Sequence, residues 1–557
     1  MKSIRIIILG FIFSAICALA FGQAPKESAI QAMNTIDYNY FQKHLTFLAS
    51  DELKGRDTGS EGYALAAEYV TDEFKTNGLL PFGDNQTYYQ HVGFAERIID
   101  KKSVVFKSSL NDKTVKAVYG KNITLLSSQK YANVNDTQEI AFVGYGNIIP
   151  DENINDYEGI DVKGKTVIIA LGGPNGMKNN DFFNLEAKAK NAQKNGATGI
   201  ILFYPKKALQ KIIFKNIHGF ISSAMLSLTD SAFSGASLSD DFDFKIAGMA
   251  KLDFLEDVFK LNGLKLKKEL KNISKGNNSS QLLRSKFACK FDVIFKQKDC
   301  KNVVALLPGT DPKLKNEYVV VSAHLDHVGV GKTIKGDSIY NGMWDNATGS
   351  AAVLSLSKAI KEMPKGTKRS IIFVCYTGEE KGLLGSKYFA SKTKINDGKI
   401  VANLNVDMLA ALFETTDVIP LGYNHSNLSE AVDYAVKPLN LVVDNNLQEE
   451  KEYFSRSDQM SFIQQGVPAL NIGNGYTAKN SKINAKKEVD KWMKKSYHSP
   501  FDDLNQDYSP EAFLTFMKLY YLATYYTANE MNEIKWNPES KYYKKYVLKE
   551  KKVTAHK

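Results

Sequence analysis

The stretch RSIIFVCYTGEE, Arg369 to Glu380, is an unbroken apolar run that ends in two adjacent glutamates. A strand with one wet face alternates apolar and polar residues, whereas a run without alternation predicts a strand covered on both faces, as in an α/β sheet between helices. Runs of the same kind recur as NVVALLPG (302–309), YVVVSAH (318–324), IVANLNVDML (400–409) and VPALNIG (467–473). Between and after them lie segments with helical spacing: SAAVLSLSKAIKEM (350–363), GSKYFASKT (385–393), NLSEAVDYAVKPL (427–439) and PEAFLTFMKLYYLATYYTANE (510–530). The predicted fold class is α/β, with a mixed, mostly parallel sheet sandwiched by helices. Two neighbouring carboxylates beside such a core repel each other and resist desolvation. A bound cation, or a pair, would make both tolerable.

The strands supply the other ligands such cations need. YVVVSAHLDHVG ends a strand with His324, Asp326 and His327; FVCYTGEE ends one with Glu379 and Glu380; ANLNVDM ends one with Asp407. Ligands of open α/β sheets bind beyond the carboxyl ends of the strands, so these side chains share one rim. NGMWDNATGS adds Asp345 in a loop that opens a helix, and KSYHSPFDD adds His498. Imidazole nitrogen with carboxylate oxygen is a donor set suited to zinc. Each residue alone has an ordinary structural explanation: a polar strand end, a solvated surface pair, a helix cap. Together, in this order, they do not.

Length and composition bound the rest. At 557 residues the chain exceeds a single hydrophobic core. The net charge of +11 comes almost wholly from lysine, with arginine only at 5, 56, 97, 284, 369 and 456. Scattered lysines make a solvated surface, and the scarcity of arginine argues against nucleic acid as a partner. The opening MKSIRIIILGFIFSAICALAFGQA has basic residues, an apolar centre and small residues, as an export signal does. We therefore expect an exported protein, periplasmic or secreted, with no stable membrane insertion once the signal is cleaved. That route permits a Cys289–Cys300 disulfide, while Cys375, inside its apolar run, reads as a small buried hydrophobe.

Upstream, YFQKHLTFLASDELKGR and EGYALAAEYVTDEFKTNGL have helical spacing, with the loop GRDTGSEG between them. From about residue 103 to 280 short β-runs follow (SVVFK, EIAFVGYG, TVIIALGG, GIILFYP), with NLEAKAKNAQKNGA the one clear helix. This block reads as a separate β-rich domain.

The series AHLDH, WDNATGS, TGEEKGLLGS, NVDM, SDQMSFIQQGVPAL and YHSPFDD closely resembles the co-catalytic zinc aminopeptidase family, which has glutamate carboxypeptidase and the transferrin receptor as distant relatives. The middle block, with DYEGIDVKGKTVIIALGG and AKNAQKNGATGIILFYP, resembles the protease-associated domain often inserted in that zinc exopeptidase fold. The implied organisation is a signal peptide at 1–22, an N-terminal helical part of the peptidase domain at 23–110, a protease-associated insertion at 111–284, a di-zinc peptidase domain at 285–535 and a basic tail at 536–557.

The resemblance implies two Zn2+ ions bridged by Asp345, with His324 and Asp407 completing one and Glu380 and His498 the other. It implies Glu379 as the general base, Asp326 as the residue that orients His324, and Tyr497 as an aid to the developing oxyanion. The implied substrates are peptides, cut at the N-terminus. A carboxypeptidase or dipeptidase on the same scaffold, a glutaminyl cyclase, and a non-catalytic binding protein are the alternatives. The intact ligand set speaks against the last two. Family members also hold a cis peptide after the bridging aspartate, here Asp345–Asn346. The chain departs from the family in Met343 and Trp344 before that aspartate and in Thr348 after it; Trp344 either walls the metal pocket or packs under the loop. His327 reads as a polar residue at the cleft rim, and Glu452 to Phe462 as a cleft lining in which Arg456 meets a substrate carboxylate.

Overall fold

The computed structural model describes residues 26–127, 131, 133–175, 185–222, 225–229, 242–393, 395, 398–409 and 411–548. The expected export signal at 1–22 and the last nine residues of the expected basic tail lie outside these. The chain forms two compact units, one from residues up to Val92 together with Asp299 onward, the other from Gly93 to Lys298.

The first unit is built on six strands: β1 (Gln281–Leu307, its last part), β2 (Glu317–His324), β3 (Ser370–Tyr376), β4 (Lys399–Asn405), β5 (Asp417–Leu421) and β6 (Ala469–Asn474). Their order is β1-β3-β2-β4-β6-β5. The four central strands are mutually parallel and the two outer ones antiparallel to their neighbours. Every residue of β3 is buried, as its unbroken apolar sequence predicts. Helix Thr348–Lys361 packs on β2, on helix Tyr38–Leu48 and on helix Pro510–Asn529. The register sets His324 of β2 opposite Tyr376 of β3, so the segments leaving the two strands emerge side by side. Strand β5 escapes a sequence reading because DVIPL is short and carries Pro420, which edge strands tolerate.

Arg369, the residue before β3, is wholly buried. It pairs with Glu317 at 2.8 Å and donates to the carbonyls of Thr527, Met531 and Asn532 behind the last long helix. The basic tail is not loose surface over its described part. Trp536 and Tyr542 are buried in the core beside Phe454 and Phe462, and residues 541–548 are helical.

The second unit holds parallel strands Asn133–Phe142, Thr166–Ala170, Gly199–Phe203 and Ile246–Ala250. It is less purely β than its sequence suggests. Besides Leu185–Lys194, helices Lys207–Ile221, Leu252–Leu261 and Leu266–Ser274 are present. LDFLEDVFKL buries Leu252, Phe254, Leu255, Val258 and Phe259, and the dense apolar content hides its helical period. The Cys289–Cys300 bridge does not form. Both thiols are free and buried, and they stand eleven residues apart on one extended strand, far beyond a disulfide's reach. Cys375 is buried as expected.

In this unit Lys188 is fully buried, its ammonium donating to Tyr145 O at 2.6 Å and Asn147 Oδ1 at 2.7 Å. Burial pushes its pKa down to about 7, with Asp156 opposing. In the unfolded chain the group keeps its proton to its ordinary value near 10.5. The unfolded chain therefore binds more protons between these pH values, so the buried ammonium's opposition to folding is full below pH 7 and is relieved as pH rises through the window. Comparison of wild type with Lys188→Met should show the wild type gaining up to roughly 1.4 kcal/mol per pH unit relative to the variant in that window. Amide exchange of Thr166–Ala170 in the whole chain, corrected for intrinsic rates, measures it; a flat difference from pH 7 to 9 would overturn the assignment.

Candidate metal centre

The loops that leave β2, β3 and β4, the turn before helix Thr348–Lys361 and the segment after helix Ala485–Lys495 bring the acidic and histidine residues together. His324 Nε2 lies 3.3 Å from Asp345 Oδ1 and 3.3 Å from Asp407 Oδ1. His498 Nε2 lies 3.0 Å from Asp345 Oδ2 and 3.2 Å from Glu380 Oε2. Asp345 thus reaches both histidines with its two oxygens. The donor atoms form two groups, His327 with Asp345, Glu380 and His498, and His324 with Glu379 and Asp407, each within 4.8 Å.

These separations test the fit to a cation. Four donors placed tetrahedrally at zinc's ordinary bond lengths stand about 3.3–3.4 Å from one another. The four distances around the two histidines match that edge, and the donor chemistry is zinc's own. The residues fit a metal-binding group, with Asp345 between the two histidines.

The protonation pattern agrees. Burial would lower His324, yet Glu379, Asp407 and Asp345 raise it well above its ordinary value, and His498 is raised to about 10 against burial by Asp345 and Glu380. Burial would raise Asp345, but its hydrogen bonds from His324 and His498 hold it well below the usual carboxylate range. Protons on the imidazoles stand where cations would bind, and cation binding releases them. Burial, with Glu380 and Asp458 adding to it, pushes Glu379 well above that range. Adjacent glutamates are thus driven apart in basicity, as a base and a ligand would be.

Asp326 acts differently from the expectation. His324 Nδ1 is held at 3.0 Å by the main-chain carbonyl of Asp326, not by its carboxylate. That carboxylate accepts from the backbone N–H groups of Glu379 at 3.1 Å and Glu380 at 3.3 Å, and from Thr58 Oγ1 at 2.9 Å. His327 is not at the rim: it is fully buried, with Nδ1 2.8 Å from Glu380 Oε1. Trp344 packs under the loop rather than walling the pocket, stacked on Trp492 at 4.4 Å.

Several supporting residues are not legible in the sequence. Arg56 is wholly buried and donates to the carbonyls of Leu325 at 2.8 Å, Asn341 at 2.6 Å, Gly342 at 3.0 Å and also Leu48. It ties the segment after His324 to the one before Asp345. Burial lowers it only to about 10, with Asp502, Asp326 and Asp345 favouring its charge. Asp502 accepts from the N–H groups of Trp344 at 2.9 Å and Asp345 at 3.1 Å. Asn346 follows the cis Asp345–Asn346 peptide, donates to Val406 O and accepts from Gly349 N and Met408 N. A Cβ at Gly349 would lie 2.3 Å from Asn346 Oδ1, so only glycine fits there. The signal that could have found Arg56 is chemical: an arginine kept in a chain that otherwise uses lysine marks a place where fixed, forked donors are needed.

Beside the centre lies a cavity of about 250 Å³. Asp345, Glu379, Asp407 and Tyr497 form its floor, and Tyr497 stacks on His498 at 3.9 Å. Its walls carry Ile419, Leu421, Val489 and Met493 together with Glu449, Arg456, Lys486 and Asp490. Tyr453, Arg456 and Ser457 of the predicted cleft lining are indeed there.

Residues 302–523 match the family model for Peptidase family M28, and residues 118–232 match that for the PA domain. Over 233 residues the chain is 29% identical to Aminopeptidase Y of Saccharomyces cerevisiae, covering 40% of this chain and 38% of that protein. It is 28% identical over 211 residues to Leupeptin-inactivating enzyme 1 of Streptomyces exfoliatus (36% and 43% covered), and 26% identical over 174 residues to Carboxypeptidase Q of Xenopus laevis (31% and 33% covered). The chain thus spans less than half the length of these relatives. The solved aminopeptidase of Aneurinibacillus sp. strain AM-1 shares the fold with a TM-score of 0.52 and 18% identity, over 92% of this chain and 98% of that one.

Arg56→Lys leaves a charge but too few fixed donors for four carbonyls. It should lower the stability of the first unit by roughly 3 kcal/mol. All three tryptophans, Trp344, Trp492 and Trp536, lie in that unit, so their fluorescence during urea unfolding reports it; an unchanged midpoint would refute the role.

Proposed function

Since the chain belongs to peptidase family M28 through residues 302–523, with a PA domain inserted, we propose that it is an exported zinc aminopeptidase that removes N-terminal residues from peptides. The observation that carries this is the pairing of two donor groups across Asp345, with Glu379 beside them and not engaged by either histidine within hydrogen-bond distance. In this reading His324, Asp345 and Asp407 hold one zinc ion, and Asp345, Glu380 and His498 a second. The ions, when bound, supply Lewis acidity toward the scissile carbonyl and acidify a water.

The chain's own residues do the rest. Glu379, raised in basicity by burial, takes the proton of the attacking water and returns it to the leaving amine. Asp326 fixes the backbone from which Glu379 and Glu380 project, so the base and the ligand face the cavity together. Burial keeps the Tyr497 phenol protonated, and its place on the cavity floor suits a donor to the developing oxyanion. The apolar wall of Ile419, Leu421, Val489 and Met493 receives a substrate side chain, and Glu449 gives the free amine an anionic partner. Export rests on the basic-then-apolar opening at 1–22. Among the described residues, no helix is long and apolar enough to cross a membrane.

Arg456 on the same cavity wall supports a second reading, carboxypeptidase or dipeptidase action, because a guanidinium there suits a substrate carboxylate. Aminoacyl p-nitroanilides beside their N-acetylated forms, together with N-acetylated peptides that keep a free C-terminal carboxylate, decide between the two. We expect cleavage of the free-amine substrates alone, abolished by chelation, and a fall in kcat of about 10²–10⁴ in Glu379→Gln with zinc still bound. Cleavage of blocked peptides from the C-terminus would overturn the aminopeptidase reading in favour of the second.

A further inference from the structure

His327 is the one histidine of the centre that the expected ligand set does not use. We propose that it is a positioning residue that makes the two cation positions unequal: its Nδ1–H holds one oxygen of Glu380, presenting the other to the cation shared with Asp345 and His498. This rests on the zinc reading above and deepens it.

Distances separate a ligand from a donor. Glu380 Oε2 lies 3.2 Å from His498 Nε2, and Asp345 Oδ2 lies 3.0 Å from it, both near the edge of a zinc tetrahedron. His327 Nδ1 does not complete that figure. It stands 4.0 Å from Asp345 Oδ2, too far, and 2.8 Å from Glu380 Oε1, the length of a charge-assisted N–H···O bond. His327 Nε2 is buried with no hydrogen-bond partner among the described residues, so a proton there would be unpaired. The proton therefore belongs on Nδ1, where Glu380 accepts it.

The ring is also held in place. A Cβ on Gly342 would come within 2.5 Å of the His327 ring, the backbone N–H of His327 bonds Arg56 O at 3.2 Å, and the ring packs edge-on against His498 at 5.5 Å. The other position has no counterpart. Around His324 and Asp407 the remaining carboxylate is Glu379, for which the described residues provide no histidine donor. One carboxylate ligand is thus fixed in advance by an imidazole, and its neighbour is left free to move protons. The cation at Glu380 and His498 is predicted to be the more tightly held.

The test is zinc content at buffered free Zn2+ for the full chain, wild type against His327→Ala and His327→Asn, with X-ray absorption to count imidazoles. We expect wild type to load in two steps of unequal affinity. His327→Ala should weaken the tighter step about 10–100-fold and spare the looser one, as loss of a partner to a metal ligand does. His327→Asn, whose amide N–H can replace Nδ1–H, should recover part of it. Wild type and His327→Ala should both show about one imidazole per zinc, supplied by His324 and His498. About three imidazoles for every two zincs in wild type, falling in His327→Ala, would make His327 a ligand and overturn the proposal. Equal weakening of both steps, or of neither, would overturn it as well. A wild type that binds no zinc would instead sink the metal reading itself. Far-UV circular dichroism in chelator separates misfolding from lost affinity, and the asparagine variant keeps the test open if the alanine variant fails to fold.

Discussion

Everything in the first unit answers to the crowding of carboxylates in one dry place. Asp326, Asp345, Glu380, Asp458 and Asp502 are all buried or nearly so, with Glu379 and Asp407 at the cavity floor. Without compensation such a cluster would be far less stable than the same groups in water. The chain answers with three imidazoles, with a buried guanidinium at Arg56, and with backbone N–H groups turned toward Asp326 and Asp502. The backbone N–H groups serve Asp326 and Asp502, which hold the loops, and Arg56 serves the carbonyls between them. The imidazoles serve Asp345, Asp407 and Glu380, while Glu379 in the cavity has no histidine within hydrogen-bond distance. The division between supporting and reactive acids is therefore made by where the donors stand.

Much of this was written in the sequence in a readable form. Unbroken apolar strands announce a two-faced sheet, and their register then obliges His324, Glu380 and Asp407 to meet on one rim. What could not be read depends on contacts between distant segments. Arg56 sits in an ordinary loop, and its meaning lies in carbonyls more than 260 residues away. Asp326 looked like an orienting carboxylate for His324, yet the main chain performs that task, because the turn after β2 folds the carbonyl under the ring. His327 is three residues beyond His324, where β2 ends, and would stand on the opposite face from it in a straight strand. The turn buries it.

The middle unit was legible as a protease-associated domain from its motifs, but its helix content was not. In LDFLEDVFKL the large apolar residues are so dense that a period of 3.6 cannot be told from a buried strand. Helix type there is decided by packing on both faces of a parallel sheet, which is tertiary information.

The two tryptophans invite a view in terms of descent. Helix Ala485–Lys495 is fastened through Trp492 to Trp344 and through the Trp492 indole to Gln506, which in turn reaches Asp502. Val489, Asp490 and Met493 of the same helix face the cavity. One side of the helix is thus committed to holding the bridging-aspartate loop, while the other presents replaceable side chains to whatever enters. A lineage can exchange the second set, position by position, and acquire new diets without disturbing the chemistry that the first set keeps in register.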